Sequence, residues 1–178
     1  MMVPPVERIS LVQGDIVRQD TDVIVTAANA QLAGGGGVDG AVHRAAGPEL
    51  LAACRALGGC PTGSARITPG FGLSAKWVVH AVGPIWTGAP QDDGRLASAY
   101  REGMRLAAAK GARSIAFPSI STGVYGFPVD RAAPIALRTV AEELAGAAAT
   151  VAVVRFVLFD GTSFAAYEQA LVSLRGIG

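Results

Sequence analysis

Residues 23–46 read VIVTAANAQLAGGGGVDGAVHRAA, and this stretch sets the expected architecture of the chain. It opens with the apolar, β-branched run Val23 to Ala27, which predicts a buried strand. The glycine cluster Gly34 to Gly37 follows, and Val38 to Ala46 then has helical spacing. A strand, a loop and a helix in this order are typical of α/β proteins with a parallel sheet.

The same alternation of strand and helix continues along the chain. Further strands are predicted at Ile9 to Gln13, Ser64 to Thr68, Trp77 to Val82, Ser114 to Pro118 and Val151 to Phe159. Further helices are predicted at Pro48 to Leu57, Gly94 to Lys110, Pro128 to Ala145 and Thr162 to Leu174. Several strands are apolar throughout, so helices should cover both faces of the sheet. In the last helix a stripe at helical spacing should face the sheet: Phe164, Tyr167, Leu171 and Leu174.

Length and composition favour one domain spanning residues 1–178 with a buried core. Hydrophobic residues make up 51% of the chain and charged residues 16%, which argues against disorder. The net charge is +1 and no run of basic residues occurs, so no dedicated nucleic-acid surface is expected. The longest nearly apolar stretch, Leu144 to Val154, is too short to span a bilayer, so no membrane partner is expected.

The N-terminus and the cysteines indicate where the protein works. Met1 to Ser10 lacks the charged and apolar segments of a signal peptide. Cys54 and Cys60 are too few for a disulfide framework and lack Cys-x-x-Cys spacing. We therefore expect a reduced, cytoplasmic setting in which both cysteines are small apolar core residues.

Two glycine-containing loops each follow a predicted strand and precede a predicted helix: Gly34 to Gly37, and Ser121 to Gly126. Free backbone amides at a helix N-terminus bind phosphate, and glycine lets the phosphate come close. Two such loops at the carboxyl ends of strands suggest that two phosphates are held between them. The alternative is that the first cluster is only a flexible connection, and it matches neither a Walker loop nor a dinucleotide fingerprint.

Three polar residues lie beside the first loop: Asn29, Asp39 and His43. Asp39 and His43 are four residues apart and share one helix face. Beside a phosphate cradle, Asp39 could activate water and Asn29 could fix a ribose hydroxyl. The alternative makes Asp39 an acid that favours the helix dipole and Asn29 a turn residue.

Two further residues follow the outer strands. Asp15 could accept a hydrogen bond from an exocyclic amine, or it could form an Asx turn after Gly14. Phe159 could stack on a base, or it could belong to the core.

Several segments together carry a resemblance to a known family. They are Gly14-Asp15-Ile16, Ala27-Ala28-Asn29, the long segment Gly34 to Gly47, and Ile120 to Gly126, with weaker agreement at Cys60 to Gly63, His80 to Pro84 and Phe117-Pro118. On these segments nearly the whole chain resembles the macrodomain family, specifically the MacroD-type branch that includes bacterial O-acetyl-ADP-ribose deacetylases. The family usually has Asn at the position that Thr26 occupies here. Threonine supplies a hydroxyl but no amide, so the hydrogen bonds near this residue should be rearranged.

The resemblance implies a three-layer α/β/α sandwich around a mixed, largely parallel sheet, with ADP-ribose lying across its crest. Asp15 would bond the adenine amine, Ile16 would line that pocket, and the two glycine loops would wrap the diphosphate. Asn29 would orient the distal ribose, Asp39 would be the catalytic carboxylate and His43 would support it. The full set of candidate ligand contacts is Asp15, Ile16, Asn29, Gly35, Gly36, Gly37, Val38, Asp39, Ser121, Thr122, Gly123, Val124, Tyr125 and Phe159.

The implied activity is hydrolysis of acyl esters on the distal ribose. O-acetyl-ADP-ribose and proteins ADP-ribosylated on Asp or Glu carry the same kind of ester and are the expected substrates and partners. Water could be activated by Asp39 or by a substrate phosphate. No cofactor is expected, and no metal, because the sequence predicts no Cys/His ligand cluster; this also disfavours the zinc-dependent macrodomain branch. The alternatives are a non-catalytic ADP-ribose reader and a nucleotide-binding structural module.

Overall fold

The computed structural model describes residues 3–177, which form a six-stranded sheet with helices on both faces. The strands are β1 (Ile9–Gln13), β2 (Val23–Ala27), β3 (Ala65–Pro69), β4 (Trp77–Ala81), β5 (Ser114–Phe117) and β6 (Val153–Leu158). Their order is β1-β6-β5-β2-β4-β3, and every pair of neighbours is parallel except β3 with β4. The predicted mixed, largely parallel sheet is therefore confirmed.

Alternate residues of the strands pack against different helices. The helices are α1 (Gly37–Ala46), α2 (Pro48–Leu57), α3 (Gln91–Ala109), α4 (Val129–Ala145) and α5 (Gly161–Ile177). Val23 and Val25 belong to a core cluster with side chains of α3, α4 and α5. Ile24 belongs to the opposite cluster, with side chains of α1 and α2. Both faces are covered, so the predicted α/β/α layering is confirmed.

The predicted apolar stripe of α5 packs as expected. Tyr167 and Leu171 are buried, and Phe164 and Leu174 are partly buried against the same core cluster. Cys54 and Cys60 are both buried and unpaired, as predicted. Among residues 3–177, no helix has the length and apolar content needed to cross a membrane.

Several predicted boundaries differ from the structure by one to three residues, and two of these differences bear on the site or have a clear local cause. Helix α3 begins at Gln91 rather than Gly94 because the Asp92 carboxylate accepts hydrogen bonds from the backbone amides of Thr87 (2.8 Å) and Gly88 (3.0 Å). These bonds fix the turn that precedes the helix. Strand β6 ends at Leu158, which leaves Phe159 outside the sheet and 85% exposed.

Arg8 fixes the turn between α4 and β6. Its guanidinium donates hydrogen bonds to the carbonyl oxygens of Leu144 (2.8 Å), Ala149 (3.1 Å) and Val151 (2.8 Å). The last carbonyls of a helix lack partners within it, so the bond to Leu144 satisfies one such group at the end of α4, and the other two bonds hold the turn that follows.

Candidate functional site

The two glycine loops meet at one edge of the sheet. They follow β2 and β5, which are neighbouring parallel strands, so both loops leave the sheet at its carboxyl edge. A pocket of about 390 Å³ lies between them. Its lining residues are Ala27, Ala28, Asn29, Gly35, Gly36, Gly37, Val38, Asp39, Pro118, Ser119, Ser121, Gly123, Val124 and Tyr125. Crevices of this kind are where open α/β sheets bind ligands.

The first loop presents the start of α1 to the pocket. Gly36 is the residue before the helix and has no side chain to bond the first helical amides. These amides have no partners within the helix and carry its positive dipole end, so they favour an anion. The loop can approach the helix because residue 40 is glycine: a Cβ on Gly40 would lie 2.5 Å from the carbonyl oxygen of Gly35.

In the second loop, Ser121 has an uncommon backbone conformation and, among the described residues, an unpaired side chain. Ser121 has a φ of 69°, which is uncommon for a residue other than glycine. Its hydroxyl is buried and has no hydrogen-bond partner among the described residues. Strained residues and unpaired buried polar groups concentrate at functional sites. Ser121 therefore supports the assignment of this pocket as a binding site.

Two tyrosines that the sequence did not single out for the site support the second loop. The Tyr100 hydroxyl accepts a hydrogen bond from the Ile120 amide (2.9 Å) and lies 3.2 Å from the carbonyl oxygen of Pro118, to which it donates. The Tyr167 hydroxyl donates to Ser119 Oγ at 2.8 Å. Helical spacing identified Tyr167 only as a core residue, since the pattern carries no information on where its hydroxyl points.

Asp39 places a buried carboxylate in the pocket lining. It is 5% exposed, and its Oδ1 accepts a hydrogen bond from Thr26 Oγ1 at 3.0 Å. His43 Nε2 lies 3.6 Å from the same oxygen. Burial raises the pKa of Asp39 above its usual value, although the Thr26 hydrogen bond and His43 both act to lower it. A carboxylate with a raised pKa in a cleft is characteristic of functional sites.

Asn29 lines the same pocket, and its amide is already engaged by the first loop. Its Nδ2 donates to the carbonyl oxygen of Gly34 at 2.8 Å, and its Oδ1 accepts from the Ala33 amide at 3.0 Å. Asn29 thus shapes the turn, as the alternative interpretation held. One N–H of its amide is left for a ligand.

A cluster of sulfur and nitrogen donors lies behind Asp39. One donor atom from each of His43, Cys54 and His80 lies within 4.8 Å of the others. Burial lowers the pKa of His80 to about 4, with a contribution from the charge of His43, so His80 is neutral. Burial, followed by the charge of Asp39, raises the pKa of Cys54 to about 11. The prediction that no Cys/His cluster exists is wrong, because the fold brings together residues too far apart in sequence to form a recognisable spacing.

The remaining predicted site residues lie elsewhere along the edge. Asp15 and Phe159 leave adjacent strands, which are joined by a hydrogen bond from the Gly14 amide to the carbonyl oxygen of Leu158 (3.0 Å). Asp15 Oδ1 accepts from the Val17 amide at 3.0 Å, so the local turn that the sequence allowed is present. Ile16 is buried, and the 85% exposure of Phe159 excludes the core alternative for that residue.

Two other candidates contact the pocket only indirectly. Thr122 does not line it, but its Oγ1 donates to Ser119 Oγ at 2.8 Å. His43 lies on the far side of Asp39 and lines a second pocket with Gly34 and Arg44. The structure thus brings together both loops, Asn29 and Asp39, with His43 behind them and Asp15, Ile16 and Phe159 further along the same edge.

Two amide-bearing loops at the carboxyl edge of an α/β/α sandwich define an anion-binding α/β protein. Residues 25–136 match the Macro domain family model. The chain belongs to this family.

Relatives and solved structures agree over most of the chain. A macro domain-containing protein of Streptomyces griseus is 55% identical over 175 residues, which cover 95% of this chain and 96% of the relative. The Oceanobacillus iheyensis macrodomain with ADP superimposes with a TM-score of 0.88 at 44% identity, over 94% of this chain and 92% of that one. The Trypanosoma brucei macrodomain in complex with ADP-ribose has a TM-score of 0.87 at 40% identity, over 92% of this chain and 69% of that one.

Proposed function

We propose that this protein binds ADP-ribose along the carboxyl edge of its sheet and hydrolyses acyl esters on the distal ribose. The observation that carries the proposal is the buried Asp39 carboxylate in a pocket flanked by two loops of free amides. Solved relatives hold ADP and ADP-ribose, which is the ligand class that such a pair of loops suits.

The ligand would extend along the strand ends. Strands β1 and β2 are separated by β6 and β5, which makes three strand spacings of about 4.8 Å, or about 14 Å in all. Adenine would lie at Asp15 and Phe159, the diphosphate between the loops, and the distal ribose beside Asn29 and Asp39. The exposed ring of Phe159 supports a stacking role at the adenine end.

The proposed reaction is the attack of water on the ester carbonyl. The water oxygen bonds to the carbonyl carbon, and the bond from that carbon to the ribose oxygen then breaks, which releases the acid and a ribose hydroxyl. The developing oxyanion would be stabilised by backbone amides of the loops. Asp39 would take the proton from water, and its raised pKa makes it a stronger base than an ordinary carboxylate. A phosphate of the substrate is the competing base.

The substrate class follows from the bond that is broken. O-acetyl-ADP-ribose and proteins ADP-ribosylated on Asp or Glu both join an acyl carbon to a ribose oxygen, so both are proposed substrates, and the modified proteins are proposed partners. The exposed side of the pocket includes Val124, which leaves room for a large acyl group. The reaction needs only water, a base and hydrogen-bond donors, so the proposal includes no cofactor.

The test is to incubate the protein with O-acetyl-ADP-ribose, and separately with a protein mono-ADP-ribosylated on acidic residues, and to measure ADP-ribose release. We expect release from both substrates. Tight ADP-ribose binding without release from either one would reject the hydrolase and favour the reader. Equal affinity for AMP and ADP-ribose would reject both the hydrolase and the reader, because neither the diphosphate nor the distal ribose would then contribute to binding.

A further inference from the structure

Ser119 lies in the middle of the candidate site, although the sequence did not single it out. It follows β5 by two residues and lines the pocket between the two glycine loops. Strand β5 lies between β6, which leads directly to Phe159, and β2, which leads to Asn29. Phe159 is at the proposed adenine end and Asn29 is beside the proposed distal ribose. Ser119 therefore faces the part of the site between them, where the diphosphate would lie.

Two other hydroxyl groups donate hydrogen bonds to Ser119 Oγ. The Tyr167 hydroxyl of α5 and Thr122 Oγ1 of the second loop each lie 2.8 Å from it. These are the shorter contacts of both donors. The Tyr167 hydroxyl is 3.4 Å from that of Tyr100, and Thr122 Oγ1 is 3.2 Å from the Ser119 carbonyl oxygen. A hydroxyl has two acceptor lone pairs and one proton, so the proton of Ser119 is the only bonding group that it has left.

The proton of Ser119 has no acceptor among residues 3–177, since Ser119 Oγ is the acceptor in both of its hydrogen bonds to them. We propose that this proton is donated to a phosphate oxygen of the bound ligand, and that Tyr167 and Thr122 position it. A hydroxyl that accepts two hydrogen bonds is polarised and donates more strongly, and a charged phosphate oxygen gains most from such a donor. The inference rests on the ADP-ribose binding of the proposed function and not on ester hydrolysis.

The core fixes the position of Tyr167. Its ring is fully buried, and its centroid lies 5.4 Å from that of the Phe156 ring on β6. Burial raises the pKa of Tyr167, so its hydroxyl keeps its proton at neutral pH and remains a donor. The Ser119 hydroxyl is therefore oriented before the ligand arrives, and little side-chain entropy is lost when it binds phosphate.

The experiment measures ADP affinity by calorimetry, because ADP carries the diphosphate but has no distal ribose and no ester. Ser119→Ala removes the donor, and Ser119→Cys keeps a similar size but offers only a weak S–H donor. Each substitution should weaken ADP binding by about tenfold, since a hydrogen bond to a charged oxygen is lost. Equal ADP affinity in the parent and both variants overturns the proposal and leaves the proposed function intact. A parent that binds neither ADP nor ADP-ribose rejects both.

Ser98→Ala is the matched control. Ser98 is a half-buried serine of α3 whose hydroxyl donates to the carbonyl oxygen of Gly63 at 2.6 Å, and neither residue lines the pocket. This variant should bind ADP like the parent. Thermal melts of all variants show whether each one is folded.

Deoxynucleotides separate a phosphate acceptor from a ribose hydroxyl. If a phosphate oxygen accepts the bond, Ser119→Ala should lower the affinity for 2′-deoxy-ADP and 3′-deoxy-ADP by the same factor as the affinity for ADP. Loss of the effect with either deoxynucleotide would assign the bond to the missing ribose hydroxyl and overturn the phosphate contact.

Double-variant cycles test the positioning role of Tyr167 and Thr122. Tyr167→Phe and Thr122→Val each remove one donor to Ser119 Oγ, and each should weaken ADP binding by about twofold or more. In the Ser119→Ala background the same changes should have little effect, because no hydroxyl remains to be oriented. Equal losses in both backgrounds would overturn the positioning role. Tighter ADP binding in Thr122→Val would show that Thr122 accepts the Ser119 proton, which contradicts the proposal.

Discussion

Thr26 Oγ1 donates a hydrogen bond of 3.0 Å to Asp39 Oδ1, which joins the end of β2 to the first turn of α1. Thr26 is fully buried, so water does not compete for this bond. The position usually carries Asn in the family that the sequence resembles, and the threonine hydroxyl supplies a donor in place of the amide. The hydrogen bond orients the carboxylate and opposes the rise in its pKa that burial causes.

Removing this donor should slow ester hydrolysis. Thr26→Val keeps the branched shape but leaves Asp39 Oδ1 without its hydroxyl partner. The carboxylate then loses the contact that orients it, and a larger fraction of Asp39 is protonated at neutral pH, so we expect hydrolysis at neutral pH to fall by about tenfold. ADP-ribose affinity should change little.

The pH profile provides the specific test of Thr26. The Thr26 hydrogen bond lowers the pKa of Asp39, so its loss raises that pKa further. A general base works only when it is deprotonated, and the acidic limb of the rate profile should therefore move to higher pH. Thr26→Ser retains the hydroxyl and should behave like the parent. An unmoved acidic limb in Thr26→Val would show that this bond does not tune the base.

At the adenine end, Asp15→Ala should weaken ADP-ribose binding by about tenfold, because an acceptor for the exocyclic amine is lost. The parent should also bind the inosine analogue less tightly than ADP-ribose. Calorimetry measures both affinities. Asp20→Ala, which removes an exposed carboxylate paired with Arg155, is the control and should retain parental affinity. Equal affinity of the parent for the two nucleotides would disprove the amine contact.

Gly123→Glu should weaken ADP-ribose binding strongly by placing a negative charge in the phosphate cradle. A Cβ at Gly123 meets no atom within 4 Å, and the residue does not have positive φ, so the fold should tolerate the change. Gly123→Gln has the same size without the charge and should lose less affinity. Calorimetric titration in the presence of a chelator measures both variants. If both variants bind ADP-ribose as tightly as the parent does, the second loop does not contact the phosphates.

Arg8→Met should reduce the free energy of unfolding by about 2 to 4 kcal/mol, because two buried hydrogen bonds and one partly buried hydrogen bond from a charged group to carbonyl oxygens are lost. Urea denaturation measures this difference. Arg95→Met changes an exposed arginine of α3 and should alter stability by less than about 0.5 kcal/mol. Equal free energies of unfolding for the two variants would show that the Arg8 hydrogen bonds contribute little to stability.

Local patterns in the sequence predicted the strands, the helices and both glycine loops, because each pattern spans a few consecutive residues. Contacts between distant residues left no such pattern. The pairing of Cys54 with His80 and the support of Ile120 by Tyr100 join residues 26 and 20 positions apart, and they arise only when helices pack on the sheet. The engagement of both ends of the Asn29 amide also depends on the loop conformation, which composition does not determine.

Asn29 and Asp39 should act on one transition state. Asn29→Ala should slow hydrolysis because it loosens the turn that holds the first loop and removes an amide donor beside the ribose. The double variant with Asp39→Ala should lose less than the product of the two single losses. Fully multiplicative losses would indicate that the two residues serve separate steps.

Asp39 is the residue proposed to activate water for ester hydrolysis. The most direct measurement is the single-turnover rate of ADP-ribose release from O-acetyl-ADP-ribose, for the parent, Asp39→Ala and the equally sized Asp39→Asn, with ADP-ribose affinity measured alongside. We predict that both variants retain much of the affinity and lose about 10²- to 10⁴-fold in rate. Parental rates in both variants would contradict the assignment and leave a phosphate of the substrate as the base.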